Sequence, residues 1–218
     1  MRCANWYKGL LTWFSRNRRK FPWRETREWY PILVSEMMLQ RTRAENVAKV
    51  FVEFIRRFPT PEALCTAEEY EIRRYFRRLG LVRRADRVRQ AVCTVLSRYG
   101  GEIPCDLDEL QSIPGIGSYV AAVLLSIVCR AYEPFIDSNV VRVFSRVLSI
   151  YESRELMNVI KRVLKEVPQD IAPEVNIALI DLGALVCTPR RPACDVCPLN
   201  NCCSTYKALR KSNIAESQ

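Results

Sequence analysis

Apolar residues recur with a helical period along most of the chain. From Glu45 to Phe58 they are spaced three and four residues apart, the pattern of an amphipathic helix that buries one face. The same pattern predicts a helix between Met1 and Lys20 and another that ends at Gly100-Gly101. No segment alternates convincingly between apolar and polar residues, as a half-buried strand does. The chain is therefore predicted to be all-α.

Polar residues and glycines predict where helices of the first half begin and end. Thr66 and Glu69 form a capping box for a helix that stops near Gly80. Asp106, with Glu109 three residues later, caps a short helix. At least five helices are expected before residue 130.

The second half of the chain continues the helical pattern. An almost wholly apolar helix is predicted from Ser118 to Ala131, and Asp137 offers N-cap chemistry for the helix that follows it. Ser153 opens another predicted helix, and a further one spans Glu174 to Val186. The polar tail after Lys207 is expected to fray.

Composition removes several chemistries and suggests a polyanionic partner. The chain has 34 Lys and Arg against 24 Asp and Glu, so its formal charge is +10, and it contains no His. Without imidazole there is no Ser-His-Asp triad and no His-ligated zinc, so an acid or base must be a carboxylate, Lys, Tyr or Cys. The basic balance is typical of proteins that bind nucleic acid, although it is also common as a solubilising surface.

Length and hydropathy favour a soluble protein. A chain of 218 residues fits one large domain or two small ones. Its longest apolar stretch, Tyr119 to Cys129, is about half of what a bilayer span needs, and its start lacks the shape of a signal peptide. We therefore expect an intracellular protein without a membrane partner.

Ten cysteines fall into a scattered group and a crowded group. The scattered group is expected to supply small buried apolar side chains, with disulfides as the alternative; its members are Cys3, Cys65, Cys93, Cys105 and Cys129. In the crowded group, Cys187-x6-Cys194-x2-Cys197-x5-Cys203 allows four thiolates to converge, with Cys202 as an ambiguous neighbour. A zinc ribbon has two Cys-x2-Cys knuckles and this segment has one, which favours a [4Fe-4S] cluster over zinc or a disulfide knot.

The turn Pro114-Gly115-Ile116-Gly117 lies between two predicted helices and looks like a helix-hairpin-helix. Its glycines let backbone N–H groups approach a phosphate, and the helix from Ser118 adds the positive end of its dipole. Such contacts position DNA without reading its sequence. A tight turn that binds nothing is the alternative.

Asp137 lies 20 residues after Gly117, at a predicted helix start. Backbone amides and the helix dipole stabilise a negative charge there, which suits a carboxylate that stabilises the cation of an oxocarbenium-like transition state. A plain helix cap is the alternative.

Five motifs occur in the order seen in the helix-hairpin-helix DNA glycosylases. They are Phe21-Pro22-Trp23-Arg24, Ser35-Glu36-Met37-Met38-Leu39-Gln40, the hairpin from Ile113 to Gly117, Asp137 and the four-cysteine loop. The chain resembles this family over residues 20 to 205, most of all the branch of the adenine glycosylase MutY and the archaeal thymine-DNA mismatch glycosylases.

The resemblance implies two α-helical lobes with DNA entering the cleft between them. Residues 24–130 would form a six-helix barrel that includes the hairpin. Residues 1–23 and 131–218 would form a second helical domain, with an iron–sulfur loop at 187–203.

The resemblance also assigns binding residues. The expected ligands of a [4Fe-4S] cluster are Cys187, Cys194, Cys197 and Cys203. The expected DNA contacts are Gly115, Ile116, Gly117, Ser118, Gln40, Arg41, Arg190 and Arg191. Gln40 and Arg41 follow the point where the family inserts residues into the stack left by a flipped nucleotide.

Three residues are the catalytic candidates. Asp137 would stabilise the sugar cation. Glu36 lies in the apolar run from Ile32 to Leu39, where desolvation should raise its pKa and prepare it to relay a proton, unless it is a solvated helix residue. Tyr119 stands where strand-cutting members carry a lysine; a phenol is a poor nucleophile for a Schiff base, which implies a monofunctional enzyme. A core aromatic is the alternative for Tyr119.

The resemblance therefore implies a DNA glycosylase that removes thymine or uracil mispaired with guanine. It would act as a monomer on double-stranded DNA, in the cytoplasm and nucleoid of a bacterium or archaeon. One alternative is a MutY-type adenine glycosylase acting opposite guanine or 8-oxoguanine, which usually has an additional C-terminal domain that this chain is expected to lack. Another is a non-catalytic iron–sulfur DNA-binding module, which the loss of Asp137 or Glu36 would have favoured.

Overall fold

The computed structural model describes residues 3–215, which form twelve α-helices and no strand. The predicted all-α class is therefore confirmed. The helices are α1 (Trp6–Asn17), α2 (Trp29–Leu39), α3 (Ala44–Arg57), α4 (Pro61–Thr66), α5 (Glu69–Arg78), α6 (Val82–Tyr99), α7 (Leu107–Ser112), α8 (Ser118–Ile127), α9 (Ser138–Leu148), α10 (Ser153–Lys165), α11 (Ala172–Leu185) and α12 (Ser204–Ala215). Short 3-10 turns lie at Pro22–Arg24, Cys194–Val196 and Asn200–Cys202. In the described part of the chain, no helix is both long and apolar enough to cross a membrane.

The chain divides into two compact units. The hairpin unit is Lys20–Glu133 and contains α2 to α8, so it has seven α-helices, of which α4 and α7 have six residues each. The cysteine-loop unit is formed by the chain up to Arg19 and from Pro134 onward, and contains α1 and α9 to α12. The observed divisions follow residues 19 and 133, and the predicted ones follow residues 23 and 130.

An aromatic cluster forms part of the core of the hairpin unit. The ring of Phe54, on the apolar face of α3, lies 4.9 to 5.9 Å between centroids from the rings of Phe58, Tyr75 and Phe76. Helix α8 is buried from Val120 to Ser126, which explains why its sequence is apolar on every face. This burial fixes α8, and with it the turn that precedes its first residue.

The cysteine-loop unit is built around α11, which packs against α1 and α9. The carboxylate of Asp181 on α11 is fully buried and accepts hydrogen bonds from Arg19 Nε at 2.7 Å and Arg19 N at 3.0 Å. A buried carboxylate requires such partners, and the pair ties the end of the N-terminal segment to α11.

Three helix ends differ from the sequence prediction. Thr66 caps nothing, because its hydroxyl donates back to Glu62 O at 2.9 Å inside α4, and α5 begins after Glu68 without a side-chain cap. Helix α8 ends at Ile127 rather than Ala131, because Arg130 adopts a left-handed φ of 56° that terminates the helical path. Residues after Lys207 continue α12 to Ala215 where fraying is predicted; residues 216–218 lie outside the described part.

The scattered cysteines are not buried apolar side chains, and that prediction is wrong. The structure forms three disulfides, Cys3–Cys202, Cys65–Cys93 and Cys105–Cys129. Five of these six residues are half-buried and Cys105 is exposed. Two of the bonds lie in the hairpin unit: one joins α4 to α6, and the other joins the segments that flank α7 and α8.

Candidate functional site

The turn between α7 and α8 presents backbone donors to solvent. Gly115, Gly117 and Ser118 are exposed, and their amides have no hydrogen-bond acceptor among the described residues. Ile116 is buried and its amide donates to Ile113 O at 3.0 Å, which anchors the turn. Exposed, unpaired amides before a helix start form a site for an anion such as a phosphate.

Glycine is required at position 115 for two reasons. Its φ of 90° is left-handed, a conformation that favours glycine. A Cβ placed there would also lie 3.1 Å from the carbonyl oxygen of Arg87 on α6. The turn therefore rests against the backbone of α6.

The hairpin unit holds the other predicted residues of the first half of the chain. Glu36 is half-buried on α2, between the buried Ser35 and Met37, and Tyr119 is half-buried in the first turn of α8. Helices α2 and α8 pack against each other. After α2, Gln40 is half-buried and Arg41 is exposed. Asp137, the four free cysteines, Arg190 and Arg191 belong to the other unit.

Asp137 is the N-cap of α9, as its sequence position predicts. Its Oδ1 accepts hydrogen bonds from Asn139 N at 2.9 Å and Val140 N at 2.8 Å. Its Oδ2 accepts one from Asn139 Nδ2 at 2.6 Å. Three donors thus fix the orientation of a half-buried carboxylate at the positive end of a helix.

A hydrogen-bond chain links Asp137 to the cysteine loop. Asn139 Oδ1 accepts from Arg142 Nη2 at 2.6 Å, and Arg142 Nε donates to Cys187 O at 2.7 Å. Arg142 Nη2 also donates to Gly183 O at 2.6 Å. Burial lowers the pKa of Arg142, while the nearby Cys187 and Asp137 act to raise it.

Three residues around Asp137 were not predicted from the sequence, namely Asn139, Arg142 and Arg146. The sequence does show that Arg142 and Arg146 are four residues apart on the helix that Asp137 caps, so they could have been predicted to share one face of it. What they contact could not be predicted, since Cys187 is 45 residues further along the chain.

Gly183 on α11 allows α11 to approach Asn139 on α9 closely, and the hydrogen-bond chain between Asp137 and Cys187 depends on this approach. A Cβ at position 183 would lie 2.5 Å from Cβ of Asn139 and 3.0 Å from its Cα. Real Cβ atoms essentially never come so close, so only glycine lets α11 meet the start of α9 at this distance.

The four cysteines outside the disulfides line one apolar cavity of about 220 Å³. They are Cys187, Cys194, Cys197 and Cys203. Among the described residues, no three Cys, Asp or Glu are grouped as the ligands of a single metal ion. Burial raises the pKa of Cys197 to about 11, and burial is also the largest cause that raises the pKa of Cys194.

Arg146 organises the loop between the thiols. Its Nη1 donates to Thr188 O at 2.8 Å and lies 3.3 Å from the Sγ of Cys187, and its Nη2 donates to Pro189 O at 2.9 Å. Arg190 and Arg191, which follow directly, are exposed. Because Cys202 is bound to Cys3, Cys203 is the free thiol at this end of the loop.

The glycine turn before α8 and the capped carboxylate of Asp137 fit a base excision DNA repair protein. The chain belongs to the HhH-GPD superfamily of base excision DNA repair proteins, which it matches over residues 34–169.

Individual relatives are similar over nearly the whole chain. It is 35% identical over 206 residues to the thymine-DNA glycosylase of Aeropyrum pernix, covering 90% of this chain and 92% of that protein. It is 38% identical over 199 residues to the adenine DNA glycosylase of Mycobacterium tuberculosis, covering 88% of this chain and 65% of that protein. The solved structure of a thermostable thymine-DNA glycosylase superposes with a TM-score of 0.84 at 29% identity, covering 93% of this chain and 95% of that one.

Proposed function

We propose that the protein is a DNA glycosylase that removes thymine or uracil mispaired with guanine. The observation that carries this proposal is the carboxylate of Asp137, which three N–H donors orient at the start of α9. The similarity to a thymine-DNA glycosylase over 90% of the chain supports the choice of base.

The reaction breaks the bond between C1′ of the deoxyribose and N1 of the pyrimidine. The electron pair of that bond leaves with the base, and positive charge develops on the sugar. Asp137 stabilises this cation, since its charge is already fixed and needs no reorganisation during the reaction. A water oxygen then bonds to C1′, and its proton leaves for Glu36 or the departing base.

Tyr119 supports a hydrolytic reaction without strand cleavage. Strand cleavage needs an amine that forms a Schiff base with C1′, and a phenol cannot form one. Half-buried in the first turn of α8, Tyr119 is suited to stack against the extruded nucleotide.

The exposed amides of the α7–α8 turn support binding of the DNA backbone. Gly115, Gly117 and Ser118 donate to a phosphate, while Ile116 holds the turn in shape. Arg190 and Arg191 add charge from the cysteine loop, and Gln40 with Arg41 approaches the gap left by the flipped base. The protein works on mismatched duplex DNA as a monomer.

A [4Fe-4S] cluster fits the donor set of the cysteine loop. Four cysteine thiolates would hold such a cluster around one cavity, whereas a single metal ion would need ligands grouped at one point. The cavity bounded by Cys187, Cys194, Cys197 and Cys203 has this form. Cys187, Cys194, Cys197 and Cys203 would hold the cluster, which would supply a rigid cross-link to the loop that carries Arg190 and Arg191.

Excision of adenine opposite guanine or 8-oxoguanine is the second candidate. It is favoured by the 38% identity to an adenine DNA glycosylase, of which this chain covers 65%.

One assay separates these functions. The protein is incubated with duplexes containing T:G, U:G, A:G or A:8-oxoguanine, with T:A as the control, and abasic sites are cleaved with alkali. We expect cleavage of the T:G and U:G duplexes only, and no adduct when borohydride is added. Cleavage of the adenine duplexes alone supports the second candidate. Binding without any excision supports a non-catalytic module, and a borohydride adduct contradicts the monofunctional mechanism.

Gly183→Ala should slow excision through the position of Asn139. The new methyl group would lie 2.5 Å from Asn139 Cβ and must push α9 away, which disturbs the donors to Asp137. A misplacement of this kind can cost up to about 10²-fold in rate. Gly9→Ala is the matched control, because its Cβ in α1 would meet only Pro198 O at an ordinary 3.6 Å. Single-turnover rates on T:G DNA test the prediction; equal rates for the two variants contradict it.

A further inference from the structure

Some arginines of the hairpin unit are neutralised by carboxylates of the same unit and others are not. Three form ion pairs within the unit: Arg57 with Glu71 at 2.6 Å, Arg73 with Asp86 at 2.9 Å, and Arg78 with Glu53 at 2.5 Å. Their charges are compensated by the protein itself. In contrast, Arg41, Arg84 and Arg87 pair with no carboxylate among the described residues.

Of the arginines outside these ion pairs, Arg41, Arg84 and Arg87 lie where three segments meet. Arg84 Nη1 donates to Gln40 O at 2.5 Å, which joins the start of α6 to the loop after α2. Arg41 is the next residue of that loop, and Arg87 lies one turn after Arg84 on α6. A Cβ at Gly115 would lie 3.1 Å from Arg87 O, so the α7–α8 turn adjoins the same part of α6.

This arrangement is unfavourable for the free protein. The pKa of the Arg84 guanidinium is lowered, first by partial burial and then by the charges of Arg41 and Arg87. Arg41 is also held at a left-handed φ of 60°, a conformation that costs energy for any residue except glycine. Folding therefore brings three like charges and one strained backbone residue together, and no carboxylate of residues 3–215 forms an ion pair with them.

We propose that Arg41, Arg84 and Arg87 form a second phosphate-binding site, the arginine site, for the DNA strand that passes the α7–α8 turn. Guanidinium groups match phosphate oxygens through two parallel hydrogen bonds, and a phosphodiester supplies the missing negative charge. The inference rests on the proposed function for the identity of the anion as DNA. The arginine site adds Arg84 and Arg87 to the predicted DNA contacts, and it assigns Arg41 a contact with a phosphate of the DNA backbone.

The salt dependence of DNA binding tests the arginine site. Affinity for a fully paired duplex is measured at several KCl concentrations for the wild type, Arg87→Gln and Arg57→Gln. Arg87→Gln should weaken binding and lower the slope of log affinity against log salt by about 1. Arg57→Gln removes the same charge from a paired arginine of the same unit and should keep the wild-type slope. An unchanged slope for Arg87→Gln, or an equal loss in both variants, overturns the proposal.

A stability measurement keeps the test independent of folding. Arg41→Gly removes both the charge and the strained side chain, so its Tm should be no lower than that of the wild type while its salt slope falls. A lower Tm together with a wild-type slope would make Arg41 a structural residue and overturn its part in the site.

Two further measurements distinguish a DNA phosphate from a free anion, and the arginine site from the proposed function. Inorganic phosphate at the ionic strength of the KCl control should raise Tm less than the duplex does; an equal rise identifies a free-anion site and overturns the proposal. The duplex has no mismatch, so its binding can be measured whether or not the protein excises a base. Expected slopes without any excision would contradict the proposed function but not the arginine site. Normal excision of thymine with an unchanged slope for Arg87→Gln would contradict the arginine site but not the proposed function.

Discussion

Asp137→Asn is expected to retain DNA binding and to lose excision, with a single-turnover rate on T:G DNA lower by about 10³-fold. Asparagine is as good an N-cap as aspartate, so its Oδ1 can still accept from Asn139 N and Val140 N and preserve α9. What disappears is the negative charge, which matters chiefly when the sugar becomes cationic. Rapid-quench excision assays and fluorescence anisotropy measure the two properties separately.

Asp106→Asn provides the matched control for this prediction. Asp106 caps α7 in the same way, with Oδ1 accepting from Asp108 N at 2.9 Å and Glu109 N at 3.0 Å. The control should excise at the wild-type rate. If both variants lose activity equally, the effect belongs to helix capping, and if Asp137→Asn turns over normally, Asp137 is not catalytic.

Local signals in the sequence predicted the parts of the fold and site that depend on neighbouring residues. Asp106 and Asp137 cap α7 and α9 as predicted, because an Asx cap needs only the amides two and three residues later. The glycine turn before Ser118 was likewise predicted from adjacent residues. Thr66 shows the limit of such signals, because its hydroxyl can either donate to a carbonyl of α4 or accept from an amide of α5. In the structure it donates to Glu62 O in α4.

Contacts between distant segments could not be predicted from spacing. The six disulfide cysteines are 24 to 199 residues from their partners, so composition alone could not distinguish pairing from burial. The same holds for the chain from Asp137 through Asn139 and Arg142 to Cys187, which exists because α9 and α11 pack side by side. Periodicity shows which face of a helix is buried but not which helix covers it.

Cys197→Ser is expected to abolish cluster binding and to lower both the iron content and the Tm of the protein. Cys197 lines the same cavity as the other three free thiols, and a serine hydroxyl is a far poorer ligand for iron than a thiolate. Loss of the proposed cluster would remove its cross-link from the loop that carries Arg190 and Arg191, so the salt dependence of DNA binding should also become shallower. Iron analysis, visible absorbance and thermal unfolding after anaerobic purification measure these effects.

Cys93→Ser separates loss of the cluster from loss of a cysteine in general. Cys93 is bonded to Cys65 in the hairpin unit, so this variant should lose stability, yet keep the iron and visible absorbance of the wild type. Both variants thus unfold at lower temperature, but only Cys197→Ser becomes colourless. Stoichiometric zinc in a colourless wild-type protein, or full iron content in Cys197→Ser, would contradict the cluster. Arg146 donates side-chain hydrogen bonds to Thr188 O and Pro189 O, so the loop should keep part of its order in Cys197→Ser. The slope of log affinity against log salt should therefore fall by less than it would if the phosphate contacts of Arg190 and Arg191 were both lost.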